Sequence, residues 1–251
     1  MVARKSAAAL IEIYSAIQGE GPALGERQIL VRLAGCNRRC RYCDTETDPP
    51  RACRVELHPG RRVWQDVLNP VSSEAALDGI ERLARALRHE AVAWTGGEPL
   101  LAGRFLRAVI PPLRRLGLRQ DLHTNASLPG ELAALLELFD RITADVKLPS
   151  ATGEHLDWER TGRFLKLARG RLAAVKMVVT RGLPAEEFER ALELLARSAP
   201  AATLVRQPVS PVAVEAVPPD PEELLAWQAR ALRSLRRVLV IPQTHKLMGQ
   251  L

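Results

Sequence analysis

The stretch "QILVRLAGCNRRCRYCDT", residues 28–45, joins an apolar run to a loop that packs three cysteines into eight positions. The apolar half, 28–35, reads as a buried β-strand, and the cysteine loop follows it directly. A disulfide uses two cysteines and a closed zinc site four ligands, so three thiols spaced C-x3-C-x2-C ask for different chemistry. Cys36, Cys40 and Cys43 on one tight loop can converge on a metal centre, and soft sulfur selects zinc or an iron–sulfur cluster. Zinc would need a fourth ligand, for which Cys53, His58 or Asp44 are available. A cubane held by three thiolates leaves one iron open to a ligand. Use of the cysteines as small buried apolar groups does not fit, because Asn37, Arg38, Arg39 and Arg41 surround them.

Outward from this stretch, strands and helices alternate. After an N-terminal strand "LIEIYSAIQ" (10–18), apolar β-type runs at 28–35, 91–95, 118–124, 141–147, 173–180, 202–209 and 237–243 are expected as strands. Helical spacing marks 73–89, 103–117, 130–139, part of 157–169, 184–199 and 220–235. The first helix has Ser72 or Ser73 as N-cap, and the last opens with Asp220, Pro221 and Glu223 as a capping box. Pro111-Pro112 is expected to interrupt the helix at 103–117. The order predicts right-handed βαβ units on a parallel sheet, either open and doubly wound or a partial barrel. Residues 46–71 carry Pro49, Pro50, Pro59 and Pro70 without clear periodicity and read as an inserted, mobile loop.

Parallel sheets bind ligands at the carboxyl ends of their strands. The unusual residues fall there: the cysteines, "TGGEP" (95–99), "HTN" (123–125), "DVK" (145–147), "QPVS" (207–210) and "PQTHK" (242–246). Gly96-Gly97 would let backbone approach a ligand, and Glu98 can accept from an ammonium, although "GGEP" alone is a plain turn. Gln18 and Glu20 offer an amide and a carboxylate, on a stretch that by itself reads as a plain turn. Arg32 lies in an apolar strand and needs a partner, either a ligand carboxylate or a structural acid. Thr45 is a cap or a weak ligand for a hard metal. Asp145 and Lys147 can serve a ligand or each other. Cys53 reads as incidental.

Composition narrows the alternatives. The net charge is +7, but only five of the 36 basic residues are lysine, and the arginines are scattered over helix faces. With 4% aromatics there is little to stack on bases, so a nucleic-acid partner is not expected. No apolar run is long enough to span a bilayer, and neither an export leader nor a disulfide framework is expected, which places the chain in the cytoplasm.

The cysteine spacing together with "TGGEPL" (95–100) resembles the radical S-adenosylmethionine enzymes. "AIQGEGPALGERQILVRLAGCN" (16–37), "CDT" (43–45) and "PQTHK" (242–246) are further similar to one branch, the 7-carboxy-7-deazaguanine synthase family. The resemblance implies an α/β fold, a partial (β/α)6-type radical SAM barrel, in truncated form or complete. It would form a single domain over 1–251, with an insertion at 46–71 and a substrate-site segment at 237–251. It implies a 4Fe-4S cluster on Cys36, Cys40 and Cys43, with S-adenosylmethionine on Gly96, Gly97, Glu98, Asn125, Asp145, Val146 and Lys147. Thr45 would contact Mg2+, and Ile17, Gln18, Gly19, Glu20, Arg32, Thr95, Gln243 and His245 would bind substrate. The implied reaction is radical conversion of 6-carboxy-5,6,7,8-tetrahydropterin to 7-carboxy-7-deazaguanine with loss of ammonia, in queuosine biosynthesis. Implied partners are a flavodoxin- or ferredoxin-type electron donor and a second copy in a homodimer. The alternatives are a glycyl-radical-enzyme activase and a non-enzymatic zinc or nucleic-acid binding module.

Overall fold

The structure is a computed structural model that describes residues 6–46, 48–210 and 217–250. Residues 1–5 and 251 of the expected domain, and Thr47 of the expected insertion, lie outside the described residues. The chain begins with β1 (Ala7–Ala8) and β2 (Leu10–Ile17), and β3 (Arg27–Leu33) returns antiparallel to β2. Strands β4 (Ala52–Glu56), β5 (Trp64–Leu68) and β6 (Val71–Ser72) follow, β6 pairing with β1. Helices and strands then alternate as α1 (Ser73–Ala86), β7 (Ala91–Gly96), α2 (Gly103–Arg115), β8 (Arg119–Thr124), α3 (Pro129–Leu135) and β9 (Arg141–Asp145). The remainder is α4 (Pro149–Thr152), α5 (Trp158–Ala168), β10 (Leu172–Val179), α6 (Ala185–Ser198), β11 (Thr203–Pro208), α7 (Pro221–Ala231), β12 (Val238–Val240) and α8 (Thr244–Leu247).

Ten strands form one mixed sheet in the order β12-β11-β10-β9-β8-β7-β3-β2-β4-β5. From β12 to β3 every neighbouring pair is parallel, as the alternation predicts. Among the described residues the two edge strands, β12 and β5, do not pair, so the sheet stays open. Its parallel strands are covered by helices, and Trp94, Phe105, Phe139, Phe164 and Phe188 are at most 1% exposed. Burying each such side chain contributes about 1.5–3 kcal/mol.

Two expectations are corrected. Residues 46–71 are not a structureless loop: β4 and β5 form an antiparallel hairpin, and β4 adds to the sheet beside β2. Alternation of Cys53 and Val55 with outward-facing Arg54 supplies the period-two pattern that the prolines obscured, since those prolines sit outside both strands. The second correction concerns α2, which runs unbroken through Pro111 and Pro112. Its stripe of Phe105, Leu106, Val109, Ile110 and Leu113 is wholly buried, which offsets the two backbone hydrogen bonds the prolines remove. At the other caps the reading holds: Ser72 accepts from Ala75 N, and Asp220 and Glu223 close a capping box.

Candidate active site

The carboxyl ends of the parallel strands open onto one cavity of about 320 Å3. All six unusual strand tails contribute to it, from Cys36, Cys40 and Cys43 after β3 to Gln243 after β12. A smaller hollow of about 270 Å3 adjoins it and shares Glu20, Thr45, Thr95 and Gln243. Ile17, Gln18, Gly19, Arg32 and His245 line that second hollow, so the residues assigned to a substrate gather at one end.

The cysteine loop is fixed by the glycine pair of the next strand. Gly96 has φ +101°, and a Cβ there would lie 2.3 Å from Leu33 O. At Gly97 a Cβ would lie 1.9 Å from Gly35 O, immediately before Cys36. Only glycine allows this approach, and it lets Gly97 N and Glu98 N donate to Leu33 O and Gly35 O at 2.8 and 2.9 Å. All four cysteines are free. The three loop thiols face the cavity, whereas Cys53 is buried in β4, where burial pushes its thiol up to about 12. Burial also raises the thiols of Cys36 and Cys40. Among the described residues no three Cys, His, Asp or Glu side chains converge on a single metal ion. A cubane makes a different demand, because each thiolate takes its own iron. Three thiols on one loop opening into one cavity therefore fit a cluster better than a closed zinc site.

Glu98 and Val146 stand behind the wall of the cavity rather than among its lining residues. Glu98 is 1% exposed, and its carboxylate accepts from Leu100 N, the Thr124 hydroxyl and Asn125 N at 3.1, 2.9 and 2.8 Å. It thus ties the tail of β7 to that of β8. Burial dominates these hydrogen bonds and lifts its carboxyl to about 7. Val146 is fully buried, and its backbone N–H is given to Lys176 O. Asn125 does face the cavity, and its amide donates to Asn37 Oδ1 at 2.8 Å and approaches Cys36 Sγ at 3.8 Å.

Charged groups line the floor in sequence. Lys147 Nζ lies 2.8 Å from Asp145 Oδ2 and 3.1 Å from the Tyr42 hydroxyl, between Cys40 and Cys43. Lys176 Nζ lies 3.1 Å from the same Asp145 oxygen and 2.8 Å from Glu20 Oε2. Glu20 Oε1 accepts from Gln243 Nε2 at 2.8 Å and Gln207 Nε2 at 3.4 Å. Burial alone would raise the Glu20 and Asp145 carboxyls, but the lysine ammoniums outweigh it and lower both, Glu20 far below the usual range. Asp145 Oδ1 and Gln207 Oε1 are buried acceptors without a partner, and both residues line the cavity. Such atoms are expected where a ligand supplies the missing donors.

Three residues assigned to substrate are also held within the protein. The Gln18 amide accepts from Glu20 N and donates to Gln28 Oε1. Arg32 donates to Glu12 Oε1 at 2.8 Å and to Thr45 Oγ1 at 2.9 Å, so a structural acid partners it. His245 belongs to α8, which Thr244 fastens to Gly19 O through its backbone and hydroxyl at 3.0 and 3.1 Å. Lys246 pairs with Asp44 at 3.0 Å, and Arg62 of the β4–β5 hairpin donates to Gly249 O. The C-terminal segment is thereby strapped over the substrate end by the hairpin that the sequence did not reveal. Lys176 was missed as well, although a lone lysine within the apolar run "AAVKMVV" (173–179) was a visible signal.

Comparison with known proteins gives the family and the fold. The sequence profile of the Radical SAM superfamily matches residues 30–195. The chain is 38% identical to the 7-carboxy-7-deazaguanine synthase of Geobacter sulfurreducens over 98% of its own length and 99% of that protein's. It is 31% identical to the 7-carboxy-7-deazaguanine synthase of Thermococcus kodakarensis over 96% and 98% of the two lengths. In fold it is similar to the crystal structure of QueE from Escherichia coli, with a TM-score of 0.60, 21% identity and 95% of each chain covered.

Proposed function

The chain belongs to the 7-carboxy-7-deazaguanine synthase family of the Radical SAM superfamily, and from that membership we propose that it converts 6-carboxy-5,6,7,8-tetrahydropterin to 7-carboxy-7-deazaguanine with loss of ammonia. Membership implies S-adenosylmethionine and a 4Fe-4S cluster as cofactors. It also removes the reading of the chain as a zinc or nucleic-acid binding module. The observation that carries the substrate assignment is the joining of two ends in one site. Three thiols open onto a cavity whose far end is walled by Glu20, Gln207, Gln243 and the strapped C-terminal segment.

In this proposal Cys36, Cys40 and Cys43 hold the cluster, and Asn125 and Asp145 hold S-adenosylmethionine, with Gly96 and Gly97 giving it room. Once reduced and loaded, this pair of cofactors supplies a carbon radical able to remove hydrogen from the pterin. The protein's own contribution is placement and exclusion of water. Glu20, kept as an anion by Lys176 and by the amides of Gln243 and Gln207, accepts from the N–H edge of the pterin ring. His245 and the rest of α8 close the substrate end. Arg32 would reach the pterin carboxylate while keeping Glu12, and Thr45 would offer its hydroxyl to Mg2+, the remaining ligands being substrate oxygens and water. An acidic flavodoxin- or ferredoxin-type protein would supply the electron, and the working unit would be a cytoplasmic homodimer. Among the described residues no helix is long and apolar enough to cross a membrane.

The test is anaerobic turnover of cluster-loaded protein with S-adenosylmethionine, reductant, Mg2+ and the carboxytetrahydropterin. The expected product is 7-carboxy-7-deazaguanine. Formation of 5′-deoxyadenosine without it would refute the substrate while leaving radical chemistry standing.

A further inference from the structure

Lys176 touches carboxylates from both ends of the cavity. Its ammonium lies 2.8 Å from Glu20 Oε2 and 3.1 Å from Asp145 Oδ2. It stands in β10 directly beside Asp145 of β9, and its side chain is 13% exposed. On one side the contacts continue from Glu20 to Gln243 and the C-terminal segment. On the other they continue from Asp145 to Lys147 and Tyr42 in the cysteine loop. Among the described residues Lys176 is the one side chain in polar contact with both Glu20 and Asp145.

A purely structural ion pair would leave its partners satisfied. Here Asp145 Oδ1 and Gln207 Oε1 remain buried and unpartnered, one on each flank of the Lys176 contacts. Each flank is built for a ligand, and the ammonium is shared between them. We propose that Lys176 is a positioning residue that couples the two halves of the site, holding the Glu20 and Asp145 carboxylates in place together so that the substrate end and the cofactor end form as one unit. The proposal rests on the reading of Glu20 as a substrate acceptor and Asp145 as a cofactor acceptor given above. Without the ammonium, two carboxylates would share a desolvated space, and each would turn away or take up a proton. Affinity would then fall at both ends, whereas a residue serving one ligand would weaken that ligand alone.

Anaerobic calorimetric titration of the cluster-loaded protein tests this, using S-adenosylmethionine and then the carboxytetrahydropterin. Lys176→Met is expected to weaken each ligand about tenfold or more, and Lys176→Arg to restore most of both, as for a charge-assisted contact. Loss at one end only, or at neither, would overturn the proposal. Lys176→Gln gives the same reading if the Met variant does not fold. Asp145→Asn is expected to weaken pterin binding in the unmodified protein but not in the Lys176→Met background, and additive losses would also overturn the coupling. If the unmodified protein binds S-adenosylmethionine but no pterin, the substrate reading fails on its own. The coupling is then decided by Glu20→Gln, which weakens S-adenosylmethionine only if Lys176 links the ends.

Discussion

Gly19 and His245 pack so closely that a Cβ on Gly19 would lie 2.3 Å from the His245 backbone nitrogen and 2.4 Å from its Cβ. Gly19→Ala must therefore push α8 off the substrate end. Overpacking of this kind costs about 1–3 kcal/mol. The KM for the pterin is expected to rise, and hydrogen exchange should rise in residues 244–250. Unchanged exchange there would show that α8 is not held in place by this contact.

Gly97→Ala acts on the other end. A Cβ 1.9 Å from Gly35 O forces the tails of β3 and β7 apart where the cysteine loop begins. Loss of most bound iron is expected after anaerobic reconstitution, with helix content by circular dichroism retained. Full iron occupancy would show that the loop does not depend on this contact.

The cysteines divide three to one. Cys36→Ala, Cys40→Ala and Cys43→Ala are each expected to abolish the cluster absorbance. Cys53→Ala removes a buried sulfur from β4 and should lower stability by about 1 kcal/mol while keeping full iron. Iron loss in the Cys53 variant would mean that the ligand set is wrong.

Arg32 separates two roles. It partners Glu12, which is 2% exposed at its side chain, as well as the Thr45 hydroxyl. Arg32→Ala should cost about 2 kcal/mol of stability, since among the described residues Glu12 then keeps only Arg54 as a charged partner. Denaturant unfolding measures this. A variant of full stability with a raised KM would return Arg32 to substrate binding alone.

Glu98 predicts a pH dependence of known sign. Its folded carboxyl titrates near 7, above the ordinary 4.5, so the folded state binds the proton more tightly. The stability it contributes is complete below pH 4.5 and is lost as pH rises through 7. His89, His123 and His245, lowered first of all by burial, act in the opposite direction, so the comparison must be made between variants. Relative to Glu98→Gln, the unmodified protein should lose about 3 kcal/mol between pH 4.5 and 8. A pH-independent difference would remove Glu98 as the group responsible.

The parallel sheet was legible because its buried strands are continuous apolar runs closed by polar tails, and those tails are the cavity wall. The cysteine, glycine and aspartate–lysine positions could be read for the same reason. The hairpin over 52–68 could not, because its two strands are only five residues each and lie between prolines that suggest a loop. What Arg32 and Gln18 do was hidden for another reason. Their partners, Glu12 and Gln28, lie on neighbouring strands, and cross-strand register is not visible in residue order. Lys176 was visible as an anomaly, but its two acids lie 156 residues before it and on the adjacent strand.

The Thr244–Gly19 contact spans 225 positions of the chain. The turn it closes is synthesised far earlier than its partner. A nascent chain can lay down most of the sheet and present its three thiols while the substrate end still stands open. The loop that carries the three thiols is thereby complete before the segment that straps the substrate end has been made, so the two ends of the cavity are built in a fixed order.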